Sequence, residues 1–307
     1  MSKTAFVFPG QGSQRPGMGR ELAEAFPSAR RVFQQADDAL GFPISRLCFA
    51  GPEEDLKLTE NTQPAILTCS IAVLAMLEER GVKADYVAGH SLGEYSALVA
   101  AGALDFADAV RLVRKRGGYM QEAVPEGVGA MAAFMMLPPE KLAGILADAA
   151  QGEVVSAANL NSPSQVVIAG NAGAVERAME LAKGAGTRRV VRLAVSAPFH
   201  CALMKPARDR LAADLDATEF HDLTVPLVNN FAAAEVRSAL DARQGLKDQV
   251  SNPVRWEQSI RYLASQGVRR FIEVGPGKVL TGLLRGIDRS LGGSNVEDLK
   301  TLEAQTP

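Results

Sequence analysis

Gly89-His90-Ser91-Leu92-Gly93 stands between the apolar run Asp85-Tyr86-Val87-Ala88 and the segment Glu94-Tyr95-Ser96-Ala97-Leu98-Val99-Ala100-Ala101, which Gly102 closes. A short buried strand, a sharp turn and a helix are expected, the setting that a G-x-S-x-G nucleophile elbow requires. Gly89 and Gly93 lack bulk, so strand and helix can approach while Ser91 takes a strained backbone conformation that exposes its hydroxyl. The free N–H groups at the helix start then face whatever Ser91 attacks. Acyl transfer through a serine ester is the chemistry this implies. The pentapeptide alone arises by chance in a chain with 28 glycines, and the flanking strand and helix are what lift it above coincidence.

Upstream, Thr4 to Phe8 reads as an apolar strand running into Pro9 to Gly19, a stretch too rich in Gly and Pro for regular structure. A loop of that length inside a compact domain usually serves a site, so it is expected to wall one. It is no dinucleotide fingerprint, because Arg15 stands where the third glycine belongs. Thr62 to Glu79 is apolar nearly all round and predicts a buried helix with Cys69 as core filler. From Gly129 onward the predicted order is strand (Ala130–Leu137), helix (Pro139–Ala150), strand (Val154–Ala158), strand (Gln165–Ala169), helix (Ala172–Ala185) and strand (Arg189–Val195). That is the split β-α-β-β-α-β unit of ferredoxin-like folds. Helices at Met204–Leu215, Leu240–Val250 and Trp256–Ala264 then alternate with strands at Val225–Val228 and Phe271–Val274, and Gly275-Pro276-Gly277-Lys278 reads as a plain strand-to-helix turn. The expected fold class is α/β. Residues 1–126 and 197–307 form an α/β-hydrolase-like large subdomain carrying the elbow, and residues 127–196 an inserted ferredoxin-like small subdomain, with boundaries at Pro125-Glu126-Gly127 and near Ser196-Ala197-Pro198. The cleft between them is the natural site.

A chain of 307 residues with 47% hydrophobic and 22% charged residues suits a globular enzyme and excludes disorder. The net charge of -2 gives no global pull toward nucleic acid. Local clusters at Arg111-Arg114-Lys115-Arg116 and Lys183-Arg188-Arg189-Arg192 are open to acidic partners, or else are solvated faces. Cys48, Cys69 and Cys201 have neither an even count nor metal-ligand spacing, so disulfides and zinc are not expected and a cytoplasmic location is. Neither a signal peptide nor a membrane span is legible.

A serine nucleophile needs a neutral imidazole within reach, and the chain has three histidines. His90 adjoins Ser91 and should point away from it to pack against the site's wall. His221 lies in the polar connector Glu219-Phe220-His221-Asp222. His200 follows Ser196-Ala197-Pro198-Phe199 where the chain re-enters the large subdomain, and is the expected base, against the alternative of a structural histidine. Oxyanion donors are expected at the Leu92 N–H and at Gln11 in the first loop. Downstream acids offer no obvious triad member, so none is assigned; a backbone carbonyl orienting His200 is the alternative.

Together these residues resemble the malonyl-CoA:acyl carrier protein transacylase family over nearly the whole chain. The resemblance rests on seven motifs in order: Phe8-Pro9-Gly10-Gln11-Gly12-Ser13-Gln14, the elbow through Glu94-Tyr95, Arg116 to Gly129-Ala130-Met131, Asn161-Ser162-Pro163-Ser164-Gln165-Val166-Val167, Pro198-Phe199-His200, Gln249 to Trp256, and Glu273-Val274-Gly275-Pro276-Gly277. It implies a Ser91–His200 dyad whose base is oriented by the Gln249 backbone carbonyl. It also implies an Arg116 fork that grips the malonyl carboxylate, with Phe199, Asn161, Gln63 and His90 as further substrate-binding residues. Phe199 stands where some relatives carry Ser, and Phe there goes with malonyl over branched units in related domains. The implied reaction is ping-pong transfer from malonyl-CoA to the phosphopantetheine thiol of an acidic acyl carrier protein in fatty acid synthesis. The CoA thioester and the phosphopantetheine are substrates, so no cofactor and no metal are needed, and a monomer is expected. The alternatives are a trans-acting malonyl acyltransferase of a polyketide synthase, a serine esterase or thioesterase, which a buried Arg116 opposes, and a non-catalytic carrier-protein binder, which the intact dyad opposes.

Overall fold

The computed structural model describes residues 2–195 and 197–305. Its strands are β1 (Lys3–Phe8), β2 (Tyr86–Gly89), β3 (Gly129–Met135), β4 (Val155–Ser162), β5 (Gln165–Asn171), β6 (Arg189–Arg192), β7 (Leu227–Val228), β8 (Glu235–Val236), β9 (Val268–Val274) and β10 (Gly292–Val296). They form a six-stranded sheet ordered β10-β9-β1-β2-β7-β8 and a four-stranded sheet ordered β4-β5-β3-β6. In the larger sheet every pairing is parallel except β7 with β8. A parallel sheet is covered on both faces, which is why β1 and β2 read as unbroken apolar runs. Ala5 and Val7 pack with Trp256, Ile260, Leu280 and Leu284 on one side. Phe6 and Phe8 join Leu67, Leu92 and Leu98 on the other.

The smaller sheet is antiparallel throughout. The period-two alternation of β3 decides its two contacts. Ala130, Ala132 and Phe134 face the helices Pro139–Ala150 and Ala172–Gly184 through Ile145, Ala149, Val175 and Ala178. Met131 and Ala133 face the other way and join the main core. A bridge from Asn159 to Val254, with Leu160 N–H donating to the Val254 carbonyl at 2.9 Å, stitches this sheet to the rest. Ser196, at the second expected boundary, lies outside the described residues.

Several expected elements differ in their bounds, β9 among them, which begins at Val268. β6 ends at Arg192 rather than Val195, β4 runs on to Ser162, and the buried helix spans Thr59–Glu79. The sequence reading passed over the helix Pro27–Leu40, although Pro at its first position and Gly41 in the left-handed conformation at its end are its written signals. The elbow itself is a close approach of three backbones. A Cβ added to Gly89 would lie 1.9 Å from the Gly93 carbonyl carbon, and one on Gly93 would lie 2.0 Å from the Phe8 carbonyl oxygen. Ser91, between them, has φ 53°, the left-handed region that an L-residue occupies only at a cost.

Gly89→Ala should therefore lower stability by about 1–3 kcal/mol or more through overpacking. Gly144→Ala, in a helix with no atom within 4 Å of its new methyl group, should raise stability by roughly 0.5–1 kcal/mol. Urea midpoints of the two variants should move in opposite directions.

Candidate active site

Ser91 Oγ lies 2.7 Å from His200 Nε2, and His200 Nδ1 lies 2.9 Å from the Gln249 carbonyl oxygen. A carbonyl only accepts, so Nδ1 carries the proton and Nε2 is free to accept from the serine. The expected base is thus the histidine that reaches the serine, and the partner at its far nitrogen is a backbone carbonyl in place of an acid. His90 turns away: its Nε2 meets Asn161 Oδ1 at 2.8 Å and its ring packs edge-on against Trp256. His221 is exposed and its N–H donates to the Ala103 carbonyl.

Ser91 and His200 open into a cavity of about 590 Å³ bounded by both sheets. Gln11, Gln63, His90, Arg116 and Phe199 line it from the larger part, and Met131, Asn159 and Leu193 to Val195 from the smaller. The early end of β6 is what frees Leu193 to Val195 to form that wall. The first loop walls the site, as expected of it, through Gln11, Gly12 and Gln14. Asn161 is not among the lining residues. It sits behind His90 and is braced by Gln165, so the asparagine exposed to the cavity is Asn159, two residues earlier on the same face of β4. Leu92 is buried, and neither its N–H nor that of Gln11 makes a hydrogen bond to a described residue. The Ser91 N–H, by contrast, is taken by Asn230 Oδ1 at 2.7 Å.

Arg116 reaches this cavity from the helix Phe106–Glu122 because Gly117 lets that helix touch the backbone of Thr59 and Glu60. Its neighbours in the basic cluster pair outward, Arg111 with Asp108, Arg114 with Glu60 and Lys115 with Asp214. Arg116 alone turns in and is 2% exposed. Its Nη1 donates to Gln63 Oε1 at 2.7 Å, and its Nη2 to Gln249 Oε1 at 2.9 Å and Ser91 Oγ at 3.1 Å. Its Nε–H has no described partner. Sequence reading missed the group beneath it. Glu94, 1% exposed, accepts from Gln249 Nε2 at 2.8 Å and from the Asn230 N–H at 2.9 Å.

Burial pushes the His200 imidazole down to about 3, and the Arg116 charge adds to the shift. The free site therefore holds a neutral base at physiological pH. Burial pushes Glu94 up to about 7, with the Gln249 and Asn230 bonds opposing. The Cys201 thiol is pushed up to about 11 by burial and is no competing nucleophile. Among the described residues no three His, Cys, Asp or Glu side chains gather to hold a metal, and no helix is long and apolar enough to cross a membrane.

Residues 5–302 match the family model described as acyl transferase domain. The malonyl CoA-acyl carrier protein transacylase of Bacillus subtilis is 51% identical over 304 residues, which are 99% of this chain and 96% of that protein. The one of Escherichia coli K12 is 50% identical over 305 residues, 99% of each. An acyl carrier protein S-malonyltransferase from Vibrio cholerae superposes with a TM-score of 0.96 at 48% identity, covering 99% of both chains. A malonyl-transacylase solved in complex with its type II polyketide acyl carrier protein also reaches 0.96, at 49% identity, covering 99% of this chain and 98% of that one.

A base depressed this far should stay neutral across the ordinary range. Modification of Ser91 by a neutral sulfonyl fluoride, corrected for reagent hydrolysis, should show no inflection near pH 6.5 between pH 5 and 8. An inflection there that persists in Glu94→Gln would mean that water reaches the His200 ring.

Proposed function

We infer that this chain, which belongs to the acyl transferase domain family, moves a malonyl group from malonyl-CoA to the phosphopantetheine thiol of acyl carrier protein. One observation carries the reading: a buried guanidinium with an unpartnered Nε–H opens into the same cavity as a hydrogen-bonded serine and histidine. A planar fork beside a nucleophile suits an acyl chain that ends in a carboxylate, because it donates parallel charge-assisted hydrogen bonds.

In the first half-reaction Ser91 Oγ attacks the thioester carbonyl while His200 Nε2 takes its proton. The carbonyl oxygen, negative in the tetrahedral intermediate, is stabilised by the Leu92 and Gln11 N–H groups. CoA leaves with the proton from His200, and a malonyl ester remains on Ser91. In the second half the carrier thiol gives its proton to His200 and attacks the ester carbonyl; the C–O bond to Ser91 breaks, Ser91 Oγ takes the proton back from His200, and the malonyl thioester of the carrier protein leaves. The thioester is already activated, so the balance needs no metal or redox cofactor. Gln249 orients the base through its carbonyl, Gln63 holds the fork, Phe199 closes the acyl pocket, and His90 with Asn161 supports the wall. We place this reaction in the cytoplasm, in a monomeric enzyme supplying extender units for fatty acid synthesis. The polyketide alternative differs in the carrier protein served, and names attached to relatives at about 50% identity favour the transacylase of fatty acid synthesis.

Intact-mass measurement after mixing with malonyl-CoA should show one malonyl adduct on Ser91, absent in Ser91→Ala and discharged by carrier protein. His200→Ala should slow both half-reactions by roughly 10²–10⁴-fold. An adduct that persists in Ser91→Ala would remove the nucleophile assignment. Wild type should reject acetyl-CoA, because an uncompensated charge in a buried pair costs about 3–5 kcal/mol. In Arg116→Ala, malonyl transfer should collapse while acetyl transfer holds or rises, and a retained malonyl preference would put the carboxylate clamp on another residue. Phe199→Ser should admit methylmalonyl-CoA by a smaller margin, about 1–3 kcal/mol for one methyl group, read as kcat/KM.

A further inference from the structure

Gln249 binds both halves of the site. Its carbonyl accepts from His200 Nδ1, its Oε1 accepts from Arg116 Nη2, and its Nε2 donates to Glu94 Oε2 and, at 3.0 Å, to the Ser91 carbonyl. A side-chain amide has two senses, related by a half-turn, and only one presents oxygen to Arg116. The other would set an NH2 against a guanidinium, donor against donor. What stands on the far side of the amide therefore either reinforces that sense or works against it. There the structure puts a carboxylate, which when ionised can only accept.

We propose that Glu94 is a positioning residue for malonyl recognition: its ionised carboxylate fixes the amide sense of Gln249, and Gln249 in turn holds the Arg116 fork toward the acyl chain. The proposal rests on the malonyl reading given above. Glu94 touches neither the reacting atoms nor the cavity; its hydrogen-bonded link to the fork runs through Gln249, and its charge also acts on Arg116 across that link. Its own place is set by the Asn230 N–H, and Asn230 is tied to the elbow by donating Nδ2 to the Gly89 carbonyl at 2.6 Å and accepting from the Ser91 N–H. Position and charge at residue 94 are thus referred to the same turn that carries the nucleophile.

Two titratable groups act on Glu94: the Arg116 guanidinium from the facing helix and the Tyr95 hydroxyl from its own. The helix ending at Gln249 and the segment after β7 present only amides to it. Burial carries its carboxyl up to about 7, so acidification through neutrality protonates it and gives it a hydrogen to donate. Either amide sense is then satisfied on that side, and the productive one keeps the Arg116 bond and the weaker, neutral contacts to the Ser91 carbonyl and, at 3.4 Å, to Asn230 Oδ1, but loses the charge-assisted bond that reinforced it.

The Gln249 backbone carbonyl does not depend on the amide sense, so the base keeps its partner in either state. That separates a positioning role from a structural one. In Glu94→Gln, kcat/KM for malonyl-CoA should fall roughly 10- to 100-fold, the range covered by a charge-assisted hydrogen bond, mainly through KM, while acetyl-CoA stays within about twofold. Equal losses for both substrates, or no loss for malonyl-CoA, would overturn the proposal. In wild type the malonyl-to-acetyl preference should fall as pH drops through about 7, and a constant preference from pH 5.5 to 8.5 would also overturn it. A third readout needs no turnover: the ¹⁵N-resolved side-chain NH2 signals of Gln249 should shift in Glu94→Gln, and unchanged signals would count against the role of Glu94 whatever acyl group the enzyme carries. Failure of the malonyl reading itself shows separately, as wild type that forms no malonyl ester on Ser91.

Discussion

A guanidinium that cannot lose its proton is held almost out of water at the floor of the cavity, and the surrounding polar groups are arranged around that fact. Burial holds the Arg116 proton less firmly than usual, yet Tyr95 and Glu94 oppose the shift and the charge survives. An isolated buried cation costs several kcal/mol, so it persists only where acceptors meet it. Gln63 and Gln249 supply carbonyl oxygens, Ser91 supplies its hydroxyl, the Tyr95 ring lies 5.6 Å away, and Glu94 supplies countercharge beyond Gln249. Remove any of these and the cation is left short of partners in a place where no solvent replaces them.

Those partners come from three stretches of the chain, the elbow with its helix, the buried helix Thr59–Glu79 and the helix ending at Gln249, and the parallel sheet helps to gather them. β1 and β2 deliver the first loop and the elbow side by side at their carboxyl ends, where open α/β sheets present their sites. The buried helix Thr59–Glu79 and the helix Phe106–Glu122 meet at Gly117, which sets Gln63 and Arg116 opposite each other. β7 lies next to β2 and carries Asn230 under the turn. The four-stranded sheet adds little to this charge balance. Its contribution is the apolar wall of Met131 and Leu193 to Val195 on the far side of the cavity.

What was legible follows from this division. The elbow, the first loop, the split βαββαβ order and His200 are written in local patterns: glycine spacing, apolar periodicity and a shortage of histidines. Phe106–Glu122 was legible only as a basic helix, since nothing local separates Arg116 from Arg114 one residue pair earlier. The resemblance to a family singled it out, and the contact at Gly117 gives the physical reason. Glu94 and Asn230 were not legible at all. An acid in the first turn of a helix is ordinarily read as a partner for the helix dipole, and an asparagine two residues past a short strand as a turn former. Their roles depend on residues 136 to 155 positions away, a separation that no local pattern encodes. Asn161 shows the reverse error. The family motif singles it out, but its side chain is taken up by the His90 ring and Gln165, and Asn159 is the asparagine that lines the cavity.

The cation that we propose recognises the malonyl carboxylate also acts on the base. Its charge is second only to burial in holding the His200 imidazole down, and a weak base removes a serine proton slowly. An acyl chain ending in a carboxylate brings the opposite charge onto Arg116 and offsets that part of the depression, so the base strengthens as the correct chain seats. A neutral acyl chain leaves the cation uncompensated and meets a base still held down. Discrimination therefore enters twice, once in binding and once in proton transfer, through a single side chain. Arg116 also donates to Ser91 Oγ itself, which favours the developing serine alkoxide over any other oxygen in the cleft. Water arriving at the ester has no such donor. A thiol, more acidic than water by several pK units, makes a lighter demand on the same imidazole, and this tilts the second half-reaction toward transfer and away from hydrolysis.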